Sequence, residues 1–141
     1  MPVSTESVRE EDCPVLRLEL EQNQDAPSLA RAAVVGFCQD RDFSPSTIAT
    51  VTLLVSEIVT NAVIHPDVDP PGRIGLNARL QERTIRVEVI DQGRGFTPTP
   101  RDPNQLEGGF GLYLLEKEAA RWGVDATPHT TVWFELATEP L

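Results

Sequence analysis

Glu57 and Asn61 place a carboxylate and a carboxamide four residues apart, and they open the first of three short motifs. These run Glu57-Ile-Val-Thr-Asn61-Ala-Val-Ile-His65, then Asp91-Gln-Gly-Arg-Gly95, then Gly108-Gly-Phe-Gly111, separated by residues 66–90 and 96–107. On a helix, Glu57 and Asn61 share a face, so both oxygens can serve one site. Asp91 ends an alternating run and offers an acceptor that could take a bond from the exocyclic amine of adenine. Gly93 and Gly95 allow positive φ and close approach of backbone to a ligand. A glycine-rich helix entry at Gly108, Gly109 and Gly111 leaves N–H groups and the positive dipole end free for phosphates. Singly, each motif has a plainer reading: a solvated helix face, an Asp/Gly turn, a loop. In this order they describe a pocket for ATP and a divalent metal. The third motif is neither the Walker phosphate loop, since no Gly-Lys-Ser/Thr follows, nor the dinucleotide fingerprint, whose glycine spacing fails.

The elements that must carry these residues follow from periodicity. Ser44 can cap a helix and Pro45 suits its first turn. That helix is expected over 45–65, with Ile48, Val51, Val55, Ile58 and Ala62 as its core stripe. Glu57, Asn61 and His65 form a second stripe about 100° away. Val15 to Leu20 and Thr84 to Ile90 alternate as strands, the second pairing as a hairpin with residues 73–80. Pro27 to Asp40 spaces Leu29, Ala33, Val34 and Phe37 as a helix, and another helix is expected from Leu112 to about Arg121. Pro66 to Gly72 must be a loop, and strands near Val124 and over 131–136 complete the sheet. The expected fold is α+β: a two-layer α/β sandwich with a mixed, mostly antiparallel sheet and about three helices on one face. Residues 1–12 read as a mobile arm and 13–141 as a single domain.

The three motifs resemble the N, G1 and G2 boxes of the GHKL ATPases, which share the Bergerat ATP-binding fold. The chain is similar, over roughly residues 15–137, to the anti-sigma factor serine/threonine kinases and related bacterial ATP-binding regulators. Leu53 to Ala62, Arg121-Trp-Gly123 and Thr131-Val-Trp-Phe-Glu-Leu136 also match that subgroup. The resemblance implies that Asn61 binds Mg²⁺ through its amide oxygen and that Glu57 orients or deprotonates the nucleophile. It implies that Asp91 reads adenine, that Gly93 and Gly95 shape the base pocket, and that Gly108, Gly109, Phe110, Gly111 and Leu112 line the phosphates. Members often carry Gly-Lys-Thr before the last strand; this chain has His129-Thr130-Thr131, and Thr131 takes the place of the threonine near adenine. His65 reads as a helix-terminal histidine bonded to backbone. The lid over 96–107 holds Pro98, Pro100, Arg101, Asp102 and Pro103, with Arg101 facing phosphate or solvent.

The function that the resemblance implies is phosphorylation of an anti-anti-sigma (STAS-type) partner combined with sequestration of a sigma factor, and a homodimer is part of the same pattern. The alternatives are a non-catalytic ATP-dependent protein-binding module and a histidine-kinase catalytic domain. The latter would need a phosphoacceptor helix, and no histidine precedes His65. At 141 residues the chain has the length of one domain. A net charge of -10 excludes general nucleic-acid binding. Cys13 and Cys38 lack metal or disulfide spacing, so reduced thiols and a cytoplasmic location are expected. No signal peptide and no membrane-spanning run of about 18 apolar residues is expected.

Overall fold

The computed structural model describes residues 15–63, 72–91, 110–125 and 129–138. Five strands, β1 (Val15–Glu21), β2 (Arg73–Gln81), β3 (Thr84–Asp91), β4 (Arg121–Asp125) and β5 (Thr130–Ala137), form one sheet in the order β1-β2-β3-β5-β4. Three helices, α1 (Ala26–Gln39), α2 (Pro45–Val63) and α3 (Phe110–Glu118), complete the described chain.

The mostly antiparallel sheet that was expected is present, and among the described residues all four strand pairings are antiparallel. The reason lies in the last hairpin. β3 and β4 are joined through a helix, a connection that usually makes parallel neighbours. Here β5 folds back between them, so β3 lies between the oppositely directed β2 and β5, and β4 pairs with the oppositely directed β5.

β3 shows how the sheet buries one face. Ile85, Val87, Val89 and Asp91 are buried, while Arg86, Glu88 and Ile90 between them are half-exposed. Alternation of this kind follows from the pleat, which sends successive side chains to opposite faces. The buried face meets Val51, Leu54, Val55, Ile58, Val59 and Ala62 of α2 and Ala30, Val34, Phe37 and Cys38 of α1 in one core. The other face carries a charged cluster. Arg86 bonds Glu88 through Nε at 3.0 Å and Glu135 through Nη1 at 2.9 Å, and its guanidinium lies 4.1 Å from the centre of the Trp133 ring. Burial opposes the charge on Arg86, but the two carboxylates outweigh it and raise its pKa.

The helices keep to their expected places, with a difference in the bounds of α3. Ser44 caps α2 as expected, its Oγ accepting from the Thr47 N–H at 3.2 Å. The described part of α2 ends at Val63, and His65 lies outside the described residues. Leu29, one of the apolar residues at helical spacing in α1, is 53% exposed. The core line runs instead through Ala26, Ala30, Val34, Phe37 and Cys38 at i, i+4 spacing, which turns Leu29 outward by about 100°. α3 begins at Phe110 and ends at Glu118, not near Arg121. The chain leaves it because the Ala120 N–H bonds to the Glu135 carbonyl at 2.9 Å, starting edge pairing with β5.

α2 is also the one described helix long and apolar enough to cross a membrane by length and composition, contrary to the expectation of none. In the fold it is the central helix, with α1, α3 and β3 packed around it. Its apolarity is therefore accounted for by burial on several sides, the pattern of a core helix.

Candidate nucleotide site

Strand register assembles the site at one edge of the sheet. Leu20 pairs with Ile74, Ile74 with Asp91, and Asp91 with Thr130, so these four residues form a row across β1, β2, β3 and β5. All four are buried, with exposures of 5%, 0%, 2% and 6%. The row lies on the helix-facing side, because each member continues the buried alternation of its strand. Directly opposed residues in an antiparallel pair bring their Cβ atoms to about 4.5–5.5 Å. Asp91 and Thr130 are thus adjacent polar groups inside an apolar layer, and both engage polar or electrostatic partners. A buried carboxylate and hydroxyl at the end of a sheet are costly unless paired, and both of these have partners.

Thr131 does not share that position. It pairs with Ile90 and is half-exposed on the face that carries Trp133 and Glu135. The threonine opposite Asp91 on the helix-facing side is therefore Thr130, and Thr131, expected near adenine, lies on the other face. One residue along a strand reverses the face, and the His129-Thr130-Thr131 run contains a threonine on each side.

The end of α2 is brought to the same edge by Gln22, which the sequence reading passed over. Gln22 follows β1 directly and is 5% exposed. Its side-chain amide donates to the carbonyl of Ala62, and its backbone N–H donates to the carbonyl of Gly72 at 2.9 Å. Asn61 is the neighbour of Ala62, and Glu57 lies one turn earlier. Both are half-buried beside the core residues Ile58 and Ala62, as expected for a stripe bordering the buried face. The lone signal for Gln22 in the sequence was a polar residue between strand and helix, which is too common to single out.

α3 opens at Phe110, so Gly108 and Gly109 immediately precede its first turn. The backbone of Phe110, Gly111 and Leu112 is helical, and the first N–H groups of a helix have no partner within it. α3 packs against α2, which places both helices over one part of the sheet. Gly93, Gly95, Arg101, Gly108 and Gly109 lie outside the described residues.

The donor set suits a hard cation carried by phosphates. Among the described residues no group of three or more His, Cys, Asp or Glu side chains could form a metal cage. Asn61 and Glu57 supply one amide and one carboxylate oxygen, which fits Mg²⁺, an ion that keeps waters and takes much of its shell from a nucleotide. Cys38 takes no part: it is fully buried, and burial pushes its thiol up to about 11 despite the opposing charge of Arg41.

Comparison with known proteins agrees with this geometry. The histidine kinase-like ATPase domain family matches residues 20–135. An anti-sigma F factor of Caldanaerobacter subterraneus is 29% identical over 125 residues, covering 89% of this chain and 83% of that protein. One from Shouchella clausii is 34% identical over 75% of this chain and 80% of its own length. In the crystal structure of the RsbU and RsbW domains of a Mycobacterium tuberculosis protein, the superposition reaches a TM-score of 0.70 at 25% identity, covering 89% of this chain and 32% of that longer one. With a matching family over most of its length, and with the buried Asp91–Thr130 pair and the Glu57–Asn61 stripe at one sheet edge, this chain belongs to the histidine kinase-like ATPases, among the relatives of the anti-sigma F factors.

Proposed function

We propose that this protein is a Mg²⁺-dependent serine/threonine kinase of the anti-sigma type, which phosphorylates an anti-anti-sigma partner and sequesters a sigma factor. The observation that carries the reading is the buried Asp91–Thr130 pair at one end of the sheet, with the turn of α2 next to Asn61 tied to that end by the bond from Gln22 to Ala62. The names of the relatives support the choice of partners.

Asp91 accepts from the exocyclic amine of adenine, and Thr130 completes the polar end of the base pocket. The first turn of α3 offers N–H groups to the phosphates. Mg²⁺, when bound, neutralises phosphate charge, with Asn61 as its protein ligand. Glu57 faces the acceptor serine and takes its hydroxyl proton as the serine oxygen bonds to the γ-phosphorus. The bond from that phosphorus to the β-phosphate bridging oxygen breaks, and ADP leaves. Phosphoryl transfer of this kind depends mostly on positioning and charge, which a rigid sheet edge and helix end can provide.

The test is transfer of label from γ-labelled ATP to a serine of a STAS-type protein, with calorimetric titration of Mg·ATP in parallel. Binding with transfer supports the kinase. Binding without transfer to any such partner identifies a nucleotide-gated binding module instead, and absence of binding overturns the site.

A further inference from the structure

Gln22 touches the backbone on both sides of residues 64–71. Its side chain reaches Ala62, forty residues away in the last turn of α2, and its N–H reaches Gly72 at the start of β2. The carbonyls of the last helical turn have no partner inside the helix. The Ala62 carbonyl has no i+4 donor in any case, because residue 66 is proline and carries no N–H. Gln22 is 5% exposed, so its amide replaces water there with a fixed donor. Its position is set in turn by the sheet, since Leu20, two residues earlier, stands in the row Leu20, Ile74, Asp91, Thr130.

We propose that Gln22 is a positioning residue for the metal–nucleotide site: it locks the last turn of α2 to the sheet edge, and so holds Asn61 at a fixed place relative to Asp91. The inference rests on the reading of Asn61 as the Mg²⁺ ligand. Adenine recognition belongs to Asp91, on a strand that Gln22 does not hold directly. Phosphate-bound metal depends on Asn61, on the helix turn that it does hold. Loss of Gln22 therefore separates the two halves of binding. Groups that orient a metal ligand typically account for about 10–100-fold in metal affinity.

The experiment compares wild type, Gln22→Met and Asn61→Ala by calorimetric titration with ADP and ATP, each with EDTA and across a Mg²⁺ series, after thermal melts have established cooperative folding. Met keeps the length and apolar bulk of Gln22 but cannot donate. The expected result is that Gln22→Met retains the metal-free nucleotide affinity while its apparent Mg²⁺ affinity in the presence of ATP falls by about tenfold or more. A merely structural role would lower the melting temperature and leave the Mg²⁺ dependence where it was, which overturns the proposal. If Gln22→Met does not melt cooperatively, Gln22→Ala, which removes the donor without adding bulk or charge, takes its place with the same criteria. Wild type without a Mg²⁺-dependent increment overturns the metal role of Asn61 and this proposal together. An increment lost in Asn61→Ala but kept in the Gln22 variant overturns the role of Gln22 alone.

Discussion

Asp91 and Thr130 stand directly opposite one another on β3 and β5, both buried on the helix-facing side of the sheet. The neighbouring pair, Ile90 and Thr131, faces the other way. Thr130→Val is therefore expected to weaken ATP binding about tenfold, the effect of losing one hydrogen bond of about 1–1.5 kcal/mol. Thr131→Val should change it less than about twofold. Calorimetric titration of both variants decides between the two threonines, and a reversed result would return the adenine role to Thr131.

Glu57 and Asn61 share a stripe but are given different work. Asn61→Ala is expected to abolish the Mg²⁺-dependent part of ATP affinity. Glu57→Ala should leave binding nearly unchanged and reduce the transfer rate by about 10²–10⁴-fold, the usual contribution of a general base. Single-turnover transfer assays beside binding titrations separate the two. Equal loss of binding in both variants would contradict the division of roles.

Two glycines outside the site should respond to Ala in opposite directions. A Cβ on Gly123 would lie 2.8 Å from the Trp133 ring, which also rests against Arg86. Gly123→Ala must displace the indole and is expected to destabilise the fold by about 1–3 kcal/mol, as overpacking does. A Cβ on Gly36, within α1, meets nothing within 4 Å. Gly36→Ala should stabilise by about 0.5–1 kcal/mol through helix propensity and a less flexible unfolded chain. Urea unfolding measures both, and equal signs would refute the packing account.

Cys38 supplies a pH test. Its folded pKa is raised from 9.0 to about 11 by burial. The folded state thus holds the proton more tightly than the unfolded chain does. Its contribution is complete below about pH 9 and is lost as pH rises from there to about 11. At about 1.36 kcal/mol per unit, the loss is on the order of 2 kcal/mol. The difference in unfolding free energy between wild type and Cys38→Ala should be level up to about pH 9 and shrink above it. The native thiol should also resist disulfide reagents at pH 8. Rapid labelling without unfolding would contradict its burial.

Much of this arrangement was legible beforehand where the cause is local. The capped start of α2 at Ser44, the alternation of β3 and the placement of Asp91 at its end depend on residues a few positions apart. The outward place of Leu29 was not legible, because α1 carries more apolar residues than one buried stripe can hold, and its rotation depends on how it packs against α2. That the mostly antiparallel sheet is antiparallel throughout its described strands was hidden for a comparable reason. A helical connection from β3 to β4 reads as parallel until β5 is seen between them.

By itself, the sequence determined the residue types of the site and their order, because helix period and strand alternation are properties of neighbouring residues. Tertiary structure decided which threonine joins Asp91, since a shift of one position in register moves a side chain to the other face. It also decided that Gln22 holds the end of α2, a contact between residues forty positions apart. No local pattern encodes such a meeting; only the pairing of β1 with β2 and the packing of α2 on the sheet bring those groups together.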